Sequence, residues 1–125
     1  MSWRIYVAGP ISNTDPCVML KNIGEGIQAS RELIKHGYVP FCPFADFLYF
    51  FSEPRPSLEK IQIVSIEWMK KCHAILMLPG WEKSRGSLRE KLIAEKKGIP
   101  IFYSIHDLLM AMPPDKKKES KRGKK

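Results

Sequence analysis

No apolar run exceeds five residues. Ala74 to Leu78 is among the longest, far below the about 20 residues a transmembrane helix needs. Met1-Ser2-Trp3-Arg4 leads straight into a strand-like segment, so no signal peptide is expected and the cytoplasm is the expected compartment. Cysteine is scarce: Cys17, Cys42 and Cys72 are odd in number and show no paired spacing, which argues against a disulfide scaffold or a zinc site. In a reducing compartment they are expected to be small buried hydrophobes. His36, His73 and His106 are scattered without ligand spacing, so no metal is expected. Cys72 and His73 do not make a nucleophile and its base, because neighbours on a strand point to opposite faces. A G-x-G-x-x-G dinucleotide fingerprint is missing, as is a Gly-Lys-Ser/Thr phosphate loop, and there is no internal repeat. No cofactor is expected.

The 125 residues, 44% of them hydrophobic, suit one compact domain with an ordinary core. The net charge of +8 is uneven. Residues 113–125, PPDKKKESKRGKK, carry +5, while residues 1–112 carry +3. The tail has nothing apolar to bury after Pro114 and is expected to be a disordered, solvated segment that touches nucleic acid weakly if at all.

The body alternates strand-like and helical patterns. Ile5 to Ala8 reads as a buried strand that ends at Gly9-Pro10. Ile23, Ile27, Leu33 and Ile34 recur at helical spacing and stop at Gly37, with Gly24 and Gly26 as weak points. Tyr38 to Cys42 reads as a strand that Pro40 assigns to an edge or an end. Residues 43–56, PFADFLYFFSEPRP, read as an aromatic loop with a short helical turn. Ser57 caps a helix to about Lys71, with Leu58, Ile61, Val64 and Trp68 on one stripe. Ala74 to Leu78 is a buried strand. A helix follows from Ser84–Gly86 to Gly98, then a strand from Ile99 to Tyr103 and a helix from His106 to Met112 capped by Ser104. This order predicts an α/β, Rossmann-like (flavodoxin-like) domain with four or five mostly parallel strands flanked by helices. Ligands in such sheets sit beyond the carboxyl ends of the strands, which points to Gly9–Asp15 and Pro79–Glu90.

Gly9-Pro10-Ile11-Ser12-Asn13-Thr14 is a turn whose glycine lets a ligand approach the backbone. Gly80-Trp81-Glu82-Lys83-Ser84-Arg85-Gly86-Ser87-Leu88-Arg89-Glu90 ends a strand and opens a helix, whose N-terminus favours an anion or a reacting sugar. Glu90, on the opening turns of that helix, is a carboxylate able to act as nucleophile or base. Trp81 and Phe44 offer rings on which a base can stack.

The strand Ile5-Tyr6-Val7-Ala8-Gly9-Pro10, together with the segment from Leu78 to Ser87 and Glu90, resembles the nucleoside 2-deoxyribosyltransferase-like superfamily over roughly residues 3–103. It is most similar to a small phage- and bacteria-associated branch with a G-W-x-x-S-R-G-A/S-x-x-E signature. The resemblance implies that a glutamate after the signature turn, here Glu90, attacks the anomeric carbon of a sugar to give a covalent glycosyl-enzyme, as in a retaining glycosidase. A strand tyrosine, here Tyr6, orients it. A serine six residues before the glutamate, here Ser84, contacts a 5′-phosphate in the monophosphate-hydrolysing relatives. The resemblance also implies a homodimer or larger assembly, for which the aromatic stretch Phe44 to Phe51 would suit the interface.

Two positions depart from the pattern. The relatives' aspartate that assists the leaving base falls on Ser65, which is not an acid at neutral pH; Glu67 is turned away by roughly 200° on a helix, and Asp46 is the speculative substitute. The relatives' G-S-I-R-G-G after the first strand is replaced by residues that put Pro10 and Ser12 at the serine and arginine positions, leaving Arg85 to offer a charge. The expected activity is cleavage or exchange of the N-glycosidic bond of a nucleoside or nucleotide through Glu90, with Gly9, Pro10, Ser12, Phe44, Asp46, Trp81, Ser84, Arg85 and Gly86 as substrate contacts. The alternatives are a nucleotide-binding module without turnover and a weak nucleic-acid binder acting through the tail.

Overall fold

The computed structural model describes residues 2–11, 15–43, 49 and 52–114. Four strands form one all-parallel sheet: β1 (Arg4–Ala8), β2 (Val39–Phe41), β3 (Ala74–Met77) and β4 (Ile101–Phe102), in the order β2-β1-β3-β4. Between and after them run α1 (Pro16–Lys35), α2 (Leu58–Met69), α3 (Arg85–Lys97) and α4 (Ile105–Ala111), with a short 3₁₀ turn at Trp81–Lys83 before α3. This is an α/β fold of Rossmann or flavodoxin type. Pro40 lies on the edge strand β2, paired on one side only, where its missing N–H costs least.

The central strands β1 and β3 are buried on both faces, and their alternation sorts the core into two layers. Ile5, Val7, Ala74 and Leu76 face Leu33 of α1, Tyr38, and Leu108 of α4. Tyr6, Ala8, Ile75 and Met77 face Ile66 and Met69 of α2 and Ala94 of α3. The helices are capped as their sequences dictate. Ser57, Ser84 and Ser104 accept hydrogen bonds from the amides of Lys60, Ser87 and Asp107.

Several sequence expectations are corrected. Helix α1, for which the apolar period gave no start, begins at Pro16, where Asp15 accepts from the Cys17 amide and Pro16 stands at the first helical position. Ile27 and Ile34 are exposed, whereas Gly26 is buried; a Cβ there would lie 2.9 Å from Cys42 Sγ, so the helix uses a glycine to come close. On α2 the expected stripe fails. Ile61 is buried, but Leu58, Val64 and Trp68 are exposed, and the inward face is Ile61, Ser65, Ile66 and Met69. Cys17 is exposed rather than buried, and Cys42 and Cys72 are half-buried and outside any disulfide. Of the aromatic stretch Phe44 to Phe51, only Tyr49 is among the described residues. The backbone at Pro113 is held to the body, its carbonyl accepting from Trp3 Nε1 at 3.1 Å.

Candidate functional site

In the order β2-β1-β3-β4 the chain leaves β1 toward one edge and later returns to β3 on its other side, so a crevice opens beyond the carboxyl ends of β1 and β3. A cavity of about 810 Å³ occupies it. Gly9, Pro10 and Ile11 line it from the end of β1, and Gly80 and Lys83 to Ser87 from the turn after β3. Arg89 and Glu90 of α3 complete one wall; Ile61, Gln62 and Ser65 of α2 form another. The two turns touch. A Cβ on Gly9 would sit 3.0 Å from Leu78 Cβ, and one on Gly80, whose φ is +90°, would sit 3.2 Å from Pro10 Cγ. Glycine at both positions lets the backbones approach and lets the chain turn.

Helix α3 places its chemistry by periodicity. Ser87, Glu90 and Ala94 fall on one inward stripe, with Ala94 in the core and the other two on the cavity wall. Glu90 is only 6% exposed. Its Oε2 accepts a hydrogen bond from the hydroxyl of Tyr6, which is completely buried on β1. Strand and helix thus meet in one hydrogen bond at the cavity floor. Tyr6 is fixed in turn by stacking, with its ring 5.8 Å from Phe41, which lies 5.7 Å from Trp68. The carboxylate is held in a chosen orientation at the base of a cavity large enough for a nucleotide-sized ligand.

The amino end of α3 forms the rim. Ser84 Oγ accepts the Ser87 amide at 3.2 Å, and the first intrahelical bond runs from the Leu88 amide to Ser84 O. The amides of Arg85 and Gly86 precede that bond, at the positive end of the helix. Lys83 and Arg85 are exposed beside them. Across the cavity Arg89 Nη1 donates to Gln62 Oε1 at 3.2 Å, and a Cβ on Gly86 would lie 2.8 Å from Gln62 Nε2.

Of the residues named from sequence, the structure brings together Tyr6, Gly9, Pro10, Ser84, Arg85, Gly86 and Glu90. Trp81 is placed elsewhere, its ring 5.5 Å from Tyr103 and beneath the Lys91 ammonium at 5.6 Å, and it does not line the cavity. Ser12, Phe44 and Asp46 lie outside the described residues. Ser65 is buried on the cavity wall. Sequence reasoning passed over Ser87 and Gln62. Ser87 was detectable, standing three residues before Glu90 and so on the same helix face.

His73 has a structural task. Its Nδ1 accepts the Arg4 amide at 2.9 Å, which keeps that nitrogen unprotonated. Desolvation, followed by the Arg4 charge, lowers its pKa below the usual 6.5. Burial pushes the Cys72 thiol up, away from the reactive thiolate. Among the described residues no three His, Cys, Asp or Glu side chains are grouped to hold a metal, and no helix is long and apolar enough to cross a membrane.

Comparison with curated proteins gives no match. A family match spans residues 3–103, covering every strand and both turns that line the cavity. The chain belongs to the family described as domain of unknown function DUF4406.

Proposed function

We propose that the protein cleaves or exchanges the N-glycosidic bond of a nucleoside or nucleotide, with Glu90 as nucleophile and Tyr6 as its positioning residue. The observation that carries the reading is the buried Glu90 carboxylate on the cavity wall, hydrogen-bonded by the Tyr6 hydroxyl. In the first half-reaction a Glu90 oxygen bonds to C1′ of the sugar. The C1′–N bond breaks, its electron pair passes to the base nitrogen, and that nitrogen takes a proton from solvent. In the second half, water or another base bonds to C1′, loses a proton to solvent, and returns the ester electron pair to Glu90. The exposed Lys83 and Arg85 at the amino end of α3 favour an anionic group on the sugar, such as a 5′-phosphate. The deciding experiment incubates the chain with 2′-deoxynucleosides and their 5′-monophosphates, with and without an acceptor base, and follows free base by chromatography. Release that disappears in Glu90→Ala supports the reading; no release, or undiminished release in the variant, rejects it.

Ser65 favours a second reading, a nucleotide-binding module without turnover, because no carboxylic acid stands there to protonate the departing base. Calorimetric binding of a nucleotide without product after long incubation selects it. For the expected homo-oligomer, the exposed Val64 and Trp68 of α2 offer an apolar face. Sedimentation of the full chain decides that point.

A further inference from the structure

Among the described residues Ser87 Oγ is the buried side-chain polar atom left with no hydrogen-bond partner. Ser87 is 1% exposed and lines the cavity. Its amide is committed to Ser84 Oγ, so local capping is already satisfied without the hydroxyl. A hydroxyl buried without a partner is unfavourable, and a ligand that supplies the partner removes the penalty. The position narrows what that ligand group is. Ser87 stands one turn before Glu90 on the same face of α3, about 4.5 Å away along the helix axis. A phosphate this close to the Glu90 carboxylate would meet like charge, whereas the cations Lys83 and Arg85 are exposed at the rim. With C1′ at Glu90 and any anionic group at the rim, the neutral, hydroxyl-bearing part of the sugar faces Ser87.

We propose that Ser87 is a specificity residue whose Oγ hydrogen-bonds to a hydroxyl of the bound furanose. The inference rests on the reading of Glu90 as the group facing the sugar, but it does not require turnover. The test measures dissociation constants by calorimetry for the full chain and for Ser87→Ala. The ligands are a ribonucleoside 5′-monophosphate, its 2′-deoxy and 3′-deoxy counterparts, and the corresponding free nucleosides. The expected result is a roughly tenfold weaker Kd in the variant for ligands that carry the recognised hydroxyl, with no loss for the one analogue that lacks it. The unliganded variant is expected to melt no lower than the wild type, since the substitution deletes a hydroxyl that bonds to nothing. Equal loss on all analogues, or loss confined to the 5′-monophosphates, overturns the inference. So does a lower Tm of the unliganded variant, which would reveal a structural bond. Wild-type chain that binds none of these ligands overturns both this inference and the reading beneath it, whereas binding that Ser87→Ala leaves unchanged overturns this inference alone.

Discussion

On the face of the sheet covered by α1 and α4, the buried side chains are Ile5, Val7, Leu33, Tyr38, Ala74, Leu76 and Leu108, and the one polar atom they carry, the Tyr38 hydroxyl, donates to Met112 O at 2.7 Å. On the face covered by α2 and α3 the same strands present Tyr6, Ala8, Ile75 and Met77, and the helices add Ser65, Ser87 and Glu90 as buried polar groups. The same strands serve both faces with alternate residues, and β1 brings the Tyr6 hydroxyl to the second. The larger difference is what the helices bring down. One face satisfies its polar atoms internally and serves stability. The other gives up apolar burial to present hydroxyls and a carboxylate to a cavity.

Substitutions that separate the two faces test this division. The largest effect is expected from Glu90→Gln, which keeps size and hydrogen-bonding capacity but removes the proposed nucleophile. Base release should fall by about a thousandfold or more in single-turnover assays, with the melting temperature moving far less. On the opposite face Leu33→Ala should cost about 3 kcal/mol in urea unfolding, because a fully buried side chain leaves a cavity behind. Its nucleotide affinity, measured well below the unfolding midpoint, should equal that of the wild type.

The two buried tyrosines make the sharpest pair. Tyr6→Phe removes the donor to Glu90 and should lower kcat/KM by about tenfold to a hundredfold. Tyr38→Phe removes the bond to Met112 O and should cost about 1 kcal/mol of stability while leaving kcat/KM unchanged. Equal kinetic losses in the two variants would erase the distinction between the faces.

The smallest expected effect concerns pH. With its folded pKa below 6.5, His73 takes up a proton more readily in the unfolded chain than in the folded one. Stability from this group is present above about 6.5 and declines as the pH falls from there to the folded pKa, below which it is flat. Urea midpoints at pH 7.5 and 5.5 should show this decline, and His73→Asn, which retains an acceptor for the Arg4 amide, should reduce it.

The sequence was most legible where burial and hydrogen bonding agree. The apolar runs of β1 and β3, the serine caps of three helices and the glycine after α3 all mark real boundaries. It misled on α2, where apolar residues occur all round the helix. Spacing alone chose Leu58, Ile61, Val64 and Trp68 as the inner stripe; of these only Ile61 is buried, and the buried side also carries Ser65. A periodicity argument assumes that the inside is apolar, and at a site it is not. The same assumption hid Ser87, a small polar residue on the most buried stripe of α3. Glu90 and Tyr6 were named from a motif rather than from a period. That they share a hydrogen bond across 84 positions of sequence is a tertiary fact that no local pattern contains.

The bond from Trp3 to Pro113 O lies at the amino-terminal end of the strands, and Pro114 packs over Gly37 nearby. The cavity lies at the carboxyl-terminal end. A resin or a fluorophore coupled at residue 114 would therefore sit at the pole opposite the cavity mouth, and a domain held there would present its opening outward to solution.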